Sequence, residues 1–307
     1  MFLFASCAPV QIATPTPRPT ATASSLLKPV LTSLPPTRTA TSSPTTTPSS
    51  TPLPCDPFIA DFCITDGHFL FQRPILAPRN DTVDRTYLYG STADGTRDPH
   101  RGVEFVNELG TPIHAAGEGI VIFAGPDDVA IYSPWRIYYG NLVVLEHEND
   151  LFTLYAHLSK IVVEAGDMVK TGEKIGEVGR SGVAIGSHLH FEVRSGDVQD
   201  YFSTQNPELW LVPRRSLGAI SLSILNSSST FQRAKITLQH YPASDEVLGV
   251  YYFDTYHPSL AIGNENAAIG DLAAGKYRIT LIYNGQIYER WVEVESGRLT
   301  EVVIVVK

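Results

Sequence analysis

The chain has 307 residues, with 32 acidic and 23 basic side chains and a formal net charge of -9 at pH 7. Proteins that bind nucleic acids are usually basic, so this balance argues against a nucleic-acid partner. No apolar run in the sequence is long enough to cross a bilayer as a helix. The length allows a sizeable core and two small domains.

Residues 1–7, MFLFASC, read as a partial secretion signal. The small residues before Cys7 resemble a lipobox, in which a cysteine becomes lipidated after cleavage. The match departs from the usual pattern in two ways. Phe4 stands where an aliphatic residue is common, and the six residues before Cys7 include no basic region. We expect an extracytoplasmic protein, either secreted or held at the cell surface through a lipid anchor on Cys7 that contacts the membrane.

Residues 8–54 consist mainly of Thr, Pro, Ser and Ala and contain half of the 22 prolines. Such a segment cannot bury enough apolar surface to fold, so we predict a disordered, extended linker. Cys55 and Cys63 follow the linker and could close a short disulfide loop, which an oxidising compartment would permit. Two free thiols are the alternative.

The remaining chain predicts an all-β protein with two domains. From 55 to 213, short segments with period-two alternation are separated by Gly-rich turns, which indicates an antiparallel β-sheet core. From 214 to 307 the alternation is stronger, and the segment IYNGQIY carries an Asn-Gly hairpin turn. This pattern predicts that the second domain is a small β-sandwich, similar to prealbumin-like or carboxypeptidase-regulatory-like domains.

Metal-binding and acid–base side chains cluster in three segments of the first domain. On a strand, His188 and His190 of GSHLHFEV share one face, while Leu189, Phe191 and Val193 point toward a core. A solvent-facing edge with histidines by chance would show the same local pattern. Catalytic zinc takes three protein ligands and leaves a fourth position for water, and a neighbouring base accepts the proton of that water. The further segments supply candidate residues at His100, Glu104 and His157.

The order of these segments resembles the LytM/lysostaphin-type zinc metalloendopeptidases, which cut peptide cross-bridges in bacterial cell walls. The chain presents three motifs of that family in sequence: His100 with Glu104 four residues on, His157 within Tyr155–Leu158, and His188 with His190. The resemblance covers residues 70–195 and implies a LytM-like β fold with one Zn²⁺ ion. It implies that His100, Glu104 and His190 bind the metal, and that His157 and His188 handle protons. It also points to Tyr155 and Asn141 as substrate contacts.

Position 104 departs from the family pattern, because Glu104 stands where the family has Asp. A carboxylate remains, but its arm is longer by one methylene, and metal sites tolerate only small errors in distance, so the backbone or the rotamer must adjust. Three outcomes are open: an ordinary site with a shifted backbone, a site with a weaker or different metal, or an inactive site.

Three functions follow from these features. The first is an exported zinc metalloendopeptidase that hydrolyses the peptide cross-links of peptidoglycan through a metal-activated water. The alternative is a catalytically impaired LytM-like module that binds the cell wall or activates another wall hydrolase. A structural adhesin, in which the C-terminal sandwich binds and the first domain is a scaffold, is the third.

Overall fold

The computed structural model describes residues 55–241, 246–260 and 263–307. The predicted lipidation site at Cys7 and the predicted linker over 8–54 lie outside these ranges. Within them the regular structure is strands and three single-turn 3-10 helices, which confirms the all-β prediction. No helix in this described part of the chain is long and apolar enough to span a membrane.

The strands, in chain order within the described ranges, are β1 Cys63–Thr65, β2 Val103–Val106, β3 Pro112–His114, β4 Gly119–Pro126, β5 Asn141–His147, β6 Leu151–Ala156, β7 Lys160–Ile161, β8 Met168–Val169, β9 Lys174–Glu177, β10 His188–Ser195, β11 Thr204–Gln205, β12 Leu217–Asn226, β13 Lys235–Tyr241, β14 Gly249–Asp254, β15 Ala267–Ala273, β16 Gly275–Tyr283, β17 Gln286–Val294 and β18 Leu299–Val306. The 3-10 turns are Glu148–Asp150, Pro207–Leu209 and Pro258–Leu260.

A seven-stranded antiparallel sheet organises the first half of the described chain. Its strand order is β11-β10-β6-β5-β4-β8, and β2 also pairs with β10. One face packs against the small sheet β3-β9-β7 around a buried apolar core. Leu189, Phe191 and Val193 of β10 lie in this core, as the alternation predicted. The residues between them therefore point to the opposite face of the sheet.

The opposite face of the seven-stranded sheet carries a second apolar cluster rich in tyrosine. Leu142 and Leu154 from the strands pack there with Tyr132, Tyr139 and Tyr201, which come from the connecting loops. Because loops cover this face, its polar side chains are removed from bulk water although they lie outside the main core. His190 belongs to this face, with its ring centroid 6.0 Å from that of Tyr139.

Two four-stranded sheets, β1-β18-β12-β15 and β14-β13-β16-β17, enclose the third apolar core. The first of them is mixed, because β12 and β18 run parallel. The predicted Asn-Gly hairpin joins β16 to β17, with Asn284 and Gly285 both at positive φ. Strand β1 comes from the start of the described chain and pairs with β18, and a disulfide joins Cys63 of β1 to Cys55. The domain boundary at 213 stays a prediction.

The space around Gly179 shows how tightly the loops next to β10 are packed. A Cβ at this position would lie 2.2 Å from the Ser159 nitrogen and 2.4 Å from the His157 oxygen, both of them backbone atoms. At Gly125 a Cβ would meet only Phe123 Cζ, at 3.9 Å. We expect Gly179→Ala to cost about 3 kcal/mol or more, which lowers Tm by roughly 6–12 °C.

The matched control is Gly125→Ala, which we expect to change Tm by less than about 3 °C. The measurement is the Tm of both variants, obtained from thermal unfolding monitored by circular dichroism. Equal melting temperatures for the two variants would contradict the packing described at Gly179.

Candidate metal centre

Three donor atoms meet on the tyrosine-covered face of the seven-stranded sheet. His190 on β10 lies directly opposite Glu104 on β2, so the two side chains share a face. His100 approaches from the loop that precedes β2. Glu104 Oε1 lies 2.9 Å from His100 Nε2 and 3.1 Å from His190 Nδ1, and the two nitrogens are 3.3 Å apart. All three side chains are buried.

Hydrogen bonds behind the two imidazoles determine which ring nitrogens are free. His100 Nδ1 lies 3.0 Å from the carbonyl oxygen of Tyr87, which can only accept, so Nδ1 carries the proton. His190 Nε2 lies 3.0 Å from Glu192 Oε1 and donates to it in the same way. In their neutral forms, both rings therefore direct a lone pair at Glu104 Oε1.

Three lone pairs directed at one point repel one another unless a cation lies between them. Two imidazole nitrogens and one carboxylate oxygen form a donor set that suits zinc with an open fourth position. Within the described residues, His100, Glu104 and His190 are the group whose donor atoms lie close enough to hold a metal ion. The residues present therefore fit the predicted metal.

The titration behaviour of the same groups reflects this demand for positive charge. Burial opposes protonation of His190, but Glu104 and Glu192 outweigh it and raise the pKa of that imidazole to about 10. Burial likewise opposes ionisation of Glu104, yet the charge on His190 and the close contacts with His100 and His188 hold its pKa well below the usual range. In the absence of metal, a proton on His190 supplies the cation.

A fully buried ion pair supports His190 from behind. Glu192 Oε2 accepts from Arg194 Nη2 at 2.7 Å, and Glu192 Oε1 accepts from the Tyr139 hydroxyl at 2.6 Å. Burial alone would raise the pKa of Glu192, but Arg194 and His190 lower it to about 2. The carboxylate therefore stays ionised and fixes both the tautomer and the direction of the His190 ring.

His188 and His157 stand beside the three donors. His188 is on the same strand face as His190, and its Nε2 lies 3.0 Å from Glu104 Oε2. The ring of His157 is 5.0 Å from that of His188, measured between centroids. His157 Nδ1 donates to the Ser181 carbonyl at 2.9 Å, which leaves Nε2 with a free lone pair. Burial and the charge on His190 lower the pKa of His157 to about 3, so this ring is neutral at pH 7.

The backbone at His157 explains how its side chain reaches the site. Strand β6 ends at Ala156, and strand alternation would direct the next side chain to the core face with Tyr155. His157 instead has φ 65°, a left-handed conformation that is unfavourable for a residue with a Cβ. Its N–H donates to the Tyr139 carbonyl at 2.9 Å, which helps to hold this turn. Regular alternation along β6 would predict that His157 and Tyr155 share a face of the strand, and the structure shows that they do not.

Tyr155 also departs from its predicted role. Its side chain is fully buried in the main core, and its hydroxyl accepts from the Ala116 N–H at 2.7 Å. A residue in that position cannot touch substrate, so the predicted substrate contact is corrected to a core role. Asn141 donates from Nδ2 to the Leu158 carbonyl at 2.9 Å and thus braces the segment after His157. Its predicted contact with substrate stays a prediction.

An open groove of about 510 Å³ gives access to the five predicted residues. Its other lining residues include charged side chains at Asp84, Arg97 and Asp98, and apolar ones at Val106, Val183 and Ile185. A groove is the shape that an extended peptide requires. The imidazoles and carboxylate at its base can bind a metal, accept a proton and donate one, which is the set of tasks that hydrolysis of an amide demands.

Two supporting groups escaped the sequence reasoning. Tyr87 stacks on His100 with ring centroids 4.0 Å apart, and this contact arises from loop packing that carries no sequence signal. Arg194 could have been found, because it lies on the same strand face as His190 and Glu192, and three such residues in a row on a covered face require mutual pairing.

Comparison with known proteins is consistent with this geometry. Residues 98–201 match the sequence model of Peptidase family M23. Over 95 residues the chain is 39% identical to the peptidoglycan DD-endopeptidase ShyA of Vibrio cholerae serotype O1, a stretch that covers 31% of this chain and 20% of that protein. The same values hold for the DD-carboxypeptidase/endopeptidase Mpg of Neisseria meningitidis serogroup B. The chain thus spans about a fifth of the length of these curated relatives.

Among solved structures, the catalytic domain of a mutant of the prophage-encoded M23 protein EnpA from Enterococcus faecalis is 30% identical, with a TM-score of 0.37. The match covers 45% of this chain and 95% of that one. The family match spans all five residues that the sequence motifs singled out. The resemblance to the LytM/lysostaphin-type peptidases is confirmed, and residues 98–201 of this chain belong to peptidase family M23.

Proposed function

We propose that this chain is an exported zinc metalloendopeptidase that hydrolyses peptide cross-links of peptidoglycan. The observation that carries the proposal is the convergence of three lone pairs, from His100, Glu104 and His190, beside two further histidines in an open groove. The relatives named as peptidoglycan DD-endopeptidases support the choice of substrate, since their similarity covers this part of the chain.

Zinc held by His100, Glu104 and His190 would supply Lewis-acid polarisation of the peptide carbonyl and would lower the pKa of a water molecule. The chain's own residues supply the proton transfers. His157 is neutral and presents Nε2 as a lone pair, so it can accept the proton of the attacking water. His188 Nε2 lies 3.0 Å from Glu104 Oε2, and when this nitrogen carries a proton its N–H can stabilise negative charge on the carbonyl oxygen.

The geometry at Glu104 bears on the alternative of a catalytically impaired module. An inactive site would be favoured if the longer side chain directed its carboxylate away from the histidines. Oε1 instead lies within 3.1 Å of donor nitrogens on both His100 and His190. This reach supports a working metal site, and no contact of Glu104 favours the impaired module.

Export is part of the proposal, because peptidoglycan lies outside the cytoplasm. The lipobox-like sequence before Cys7 would supply the signal and the lipid anchor. The disulfide between Cys55 and Cys63 is compatible with an oxidising compartment, where such bonds persist. We infer a secreted or surface-held lipoprotein whose partner is the peptide cross-bridge.

The first test is cleavage of peptidoglycan sacculi by the full chain, with and without a chelator. We expect newly released amino groups in the absence of chelator and none in its presence. His100→Ala and His190→Ala should each remove a metal ligand and bring release to the chelator level, with zinc content falling in parallel. Release that persists in either variant without bound metal would contradict a zinc mechanism.

His157→Ala separates proton transfer from metal binding. Because His157 lies outside the group of three donors and its Nδ1 is bonded to the Ser181 carbonyl, we expect zinc content to stay near one ion per chain while the cleavage rate falls by about 10²–10⁴-fold. The measurement is metal analysis together with initial rates on sacculi. A variant that loses zinc as well would assign His157 to the metal, and unchanged activity would remove it from the mechanism.

Zinc affinity should depend on pH in a defined direction. Burial opposes the charge on metal-free His190, yet Glu104 and Glu192 raise its pKa to about 10, so the ring is protonated at pH 7. The metal ion must displace this proton, so affinity rises with pH until pH 10 is reached. We expect release of about one proton per zinc, and an apparent Kd about tenfold lower at pH 8 than at pH 7.

Titration calorimetry in buffers of different ionisation enthalpy measures the released protons directly. Glu146→Gln serves as a control, because this carboxylate on β5 is exposed and lies outside the groove lining. It should leave proton release unchanged. An apparent Kd independent of pH in the wild-type chain would contradict the charge assignment at His190.

A further inference from the structure

The position of His100 depends on a short preceding segment, residues 87–91. The His100 N–H donates to the Ser91 carbonyl at 2.9 Å, and the Gly90 N–H donates back to the His100 carbonyl at 2.8 Å. The ring of His100 stacks on Tyr87, whose carbonyl also accepts from His100 Nδ1. Main chain and side chain of this ligand are therefore both fixed by residues 87–91.

Tyr256, which follows β14 of the C-terminal sandwich, contacts this segment directly. Its ring packs edge-on against Tyr89 at 5.1 Å between centroids. A Cβ at Gly90 would lie 2.8 Å from Tyr256 Cδ1 and 3.2 Å from Tyr256 Cα, so the aromatic ring rests on the Gly90 backbone. Gly90 is at φ 79°, where glycine is favoured for a second reason.

The contact belongs to a buried cluster that both halves of the chain build. Its members are Tyr89, Leu209, Ala219, Tyr256, Leu260, Ala268 and Leu299. Polar contacts fix the same region: Asn206 Nδ2 donates to the Tyr256 hydroxyl at 2.7 Å, and Arg85 Nη2 donates to the Gly270 carbonyl at 2.7 Å. Tyr256 is thus held from several sides and cannot withdraw from Gly90 without breaking buried contacts.

We infer that Tyr256 is a positioning residue for the metal ligand His100, so that the C-terminal sandwich forms part of the support of the metal centre. Two contacts connect Tyr256 to His100. The Tyr256 ring packs on the Gly90 backbone, and the backbones of Gly90 and Ser91 are hydrogen-bonded to that of His100. The inference rests on the proposed zinc site. It assigns the sandwich a task inside the enzyme, whatever the sandwich binds on its outer surface.

The test compares Tyr256→Ala and Tyr256→Phe in the full chain. Zinc Kd is measured by competition with a chromophoric chelator, and the Co²⁺-loaded protein gives a visible spectrum that reports ligand geometry. We expect Tyr256→Ala to raise the zinc Kd by about 10–100-fold, the range for residues that orient a ligand, and to weaken the Co²⁺ bands. Tyr256→Phe keeps the ring on Gly90 and should restore both readings to near wild type.

Tyr277→Ala is the matched control. Tyr277 is a fully buried tyrosine of the same sandwich, with its hydroxyl donating to the Ala273 carbonyl at 2.8 Å, but it lies in the core between the two sheets. It should leave the zinc Kd unchanged. An equal rise in Kd for Tyr277→Ala would mean that general loosening of the sandwich is responsible and would overturn the inference.

A wild-type zinc Kd in folded Tyr256→Ala would also overturn it. Should that variant not fold, Tyr256→Leu retains much of the apolar volume without the flat ring, and a wild-type Kd there has the same meaning. The readings separate this inference from the proposed function. If the wild-type chain itself bound no zinc, the proposed function would fail. If the wild-type chain bound zinc, and Tyr256→Ala had either the wild-type zinc Kd or the same zinc Kd as Tyr277→Ala, the inference alone would fail.

Discussion

The antiparallel register between β2 and β10 is the constraint on which the site depends. It places Glu104 directly opposite His190, with Phe105 and Leu189 paired on the core side. A slip of one residue would turn Glu104 into the apolar core, because side chains alternate between the two faces. The burial of Phe105, Leu189 and Phe191 therefore selects the same register that brings the donor atoms together. Core packing and metal-site geometry are two consequences of one strand pairing.

Charge on the other face of β10 is arranged in alternating layers. The carboxylate of Glu104 faces His190, His190 faces Glu192, and Glu192 faces Arg194. Each charged group is buried, and an unpaired charge in this place would be strongly destabilising. The series is balanced only when a cation stands between Glu104 and His190, either a proton on the imidazole or a metal ion. Arg194 thus stabilises a carboxylate that in turn orients His190, one of the three candidate metal donors.

Much of the fold could be predicted because it depends on local pattern. Period-two alternation identified β10 and its core face, and the Asn-Gly pair identified the hairpin between β16 and β17. The five candidate site residues, His100, Glu104, His157, His188 and His190, were recognisable because their spacing follows that of a known family. What failed was the direction of single side chains where regular structure ends. The left-handed turn at His157 depends on contacts with Tyr139 and Ser181, which lie far away in sequence.

Tyr155 shows the complementary error, because regular alternation does hold for it and directs it into the core. The role of Tyr87 and the contact of Tyr256 with Gly90 could not be predicted for a third reason. Both are contacts between residues outside the strands, where no periodic pattern identifies the partner: Tyr87 meets His100 within the segment before β2, and Tyr256 meets Gly90 from the segment after β14. Sequence periodicity describes which face of an element is buried, but it does not describe which partner covers that face.

The glutamate at position 104 can be understood from the same geometry. A carboxylate on a longer arm must either strain the backbone or find room for its second oxygen. Here Oε1 faces His100 and His190, while Oε2 lies 3.0 Å from His188 Nε2. The extra methylene is thus accommodated while the carboxylate stays within reach of the donor nitrogens of His100 and His190. One side chain then lies against the two histidines proposed to bind the metal and one proposed to handle protons, so under the proposed function a displacement of Glu104 would disturb metal binding and proton transfer together.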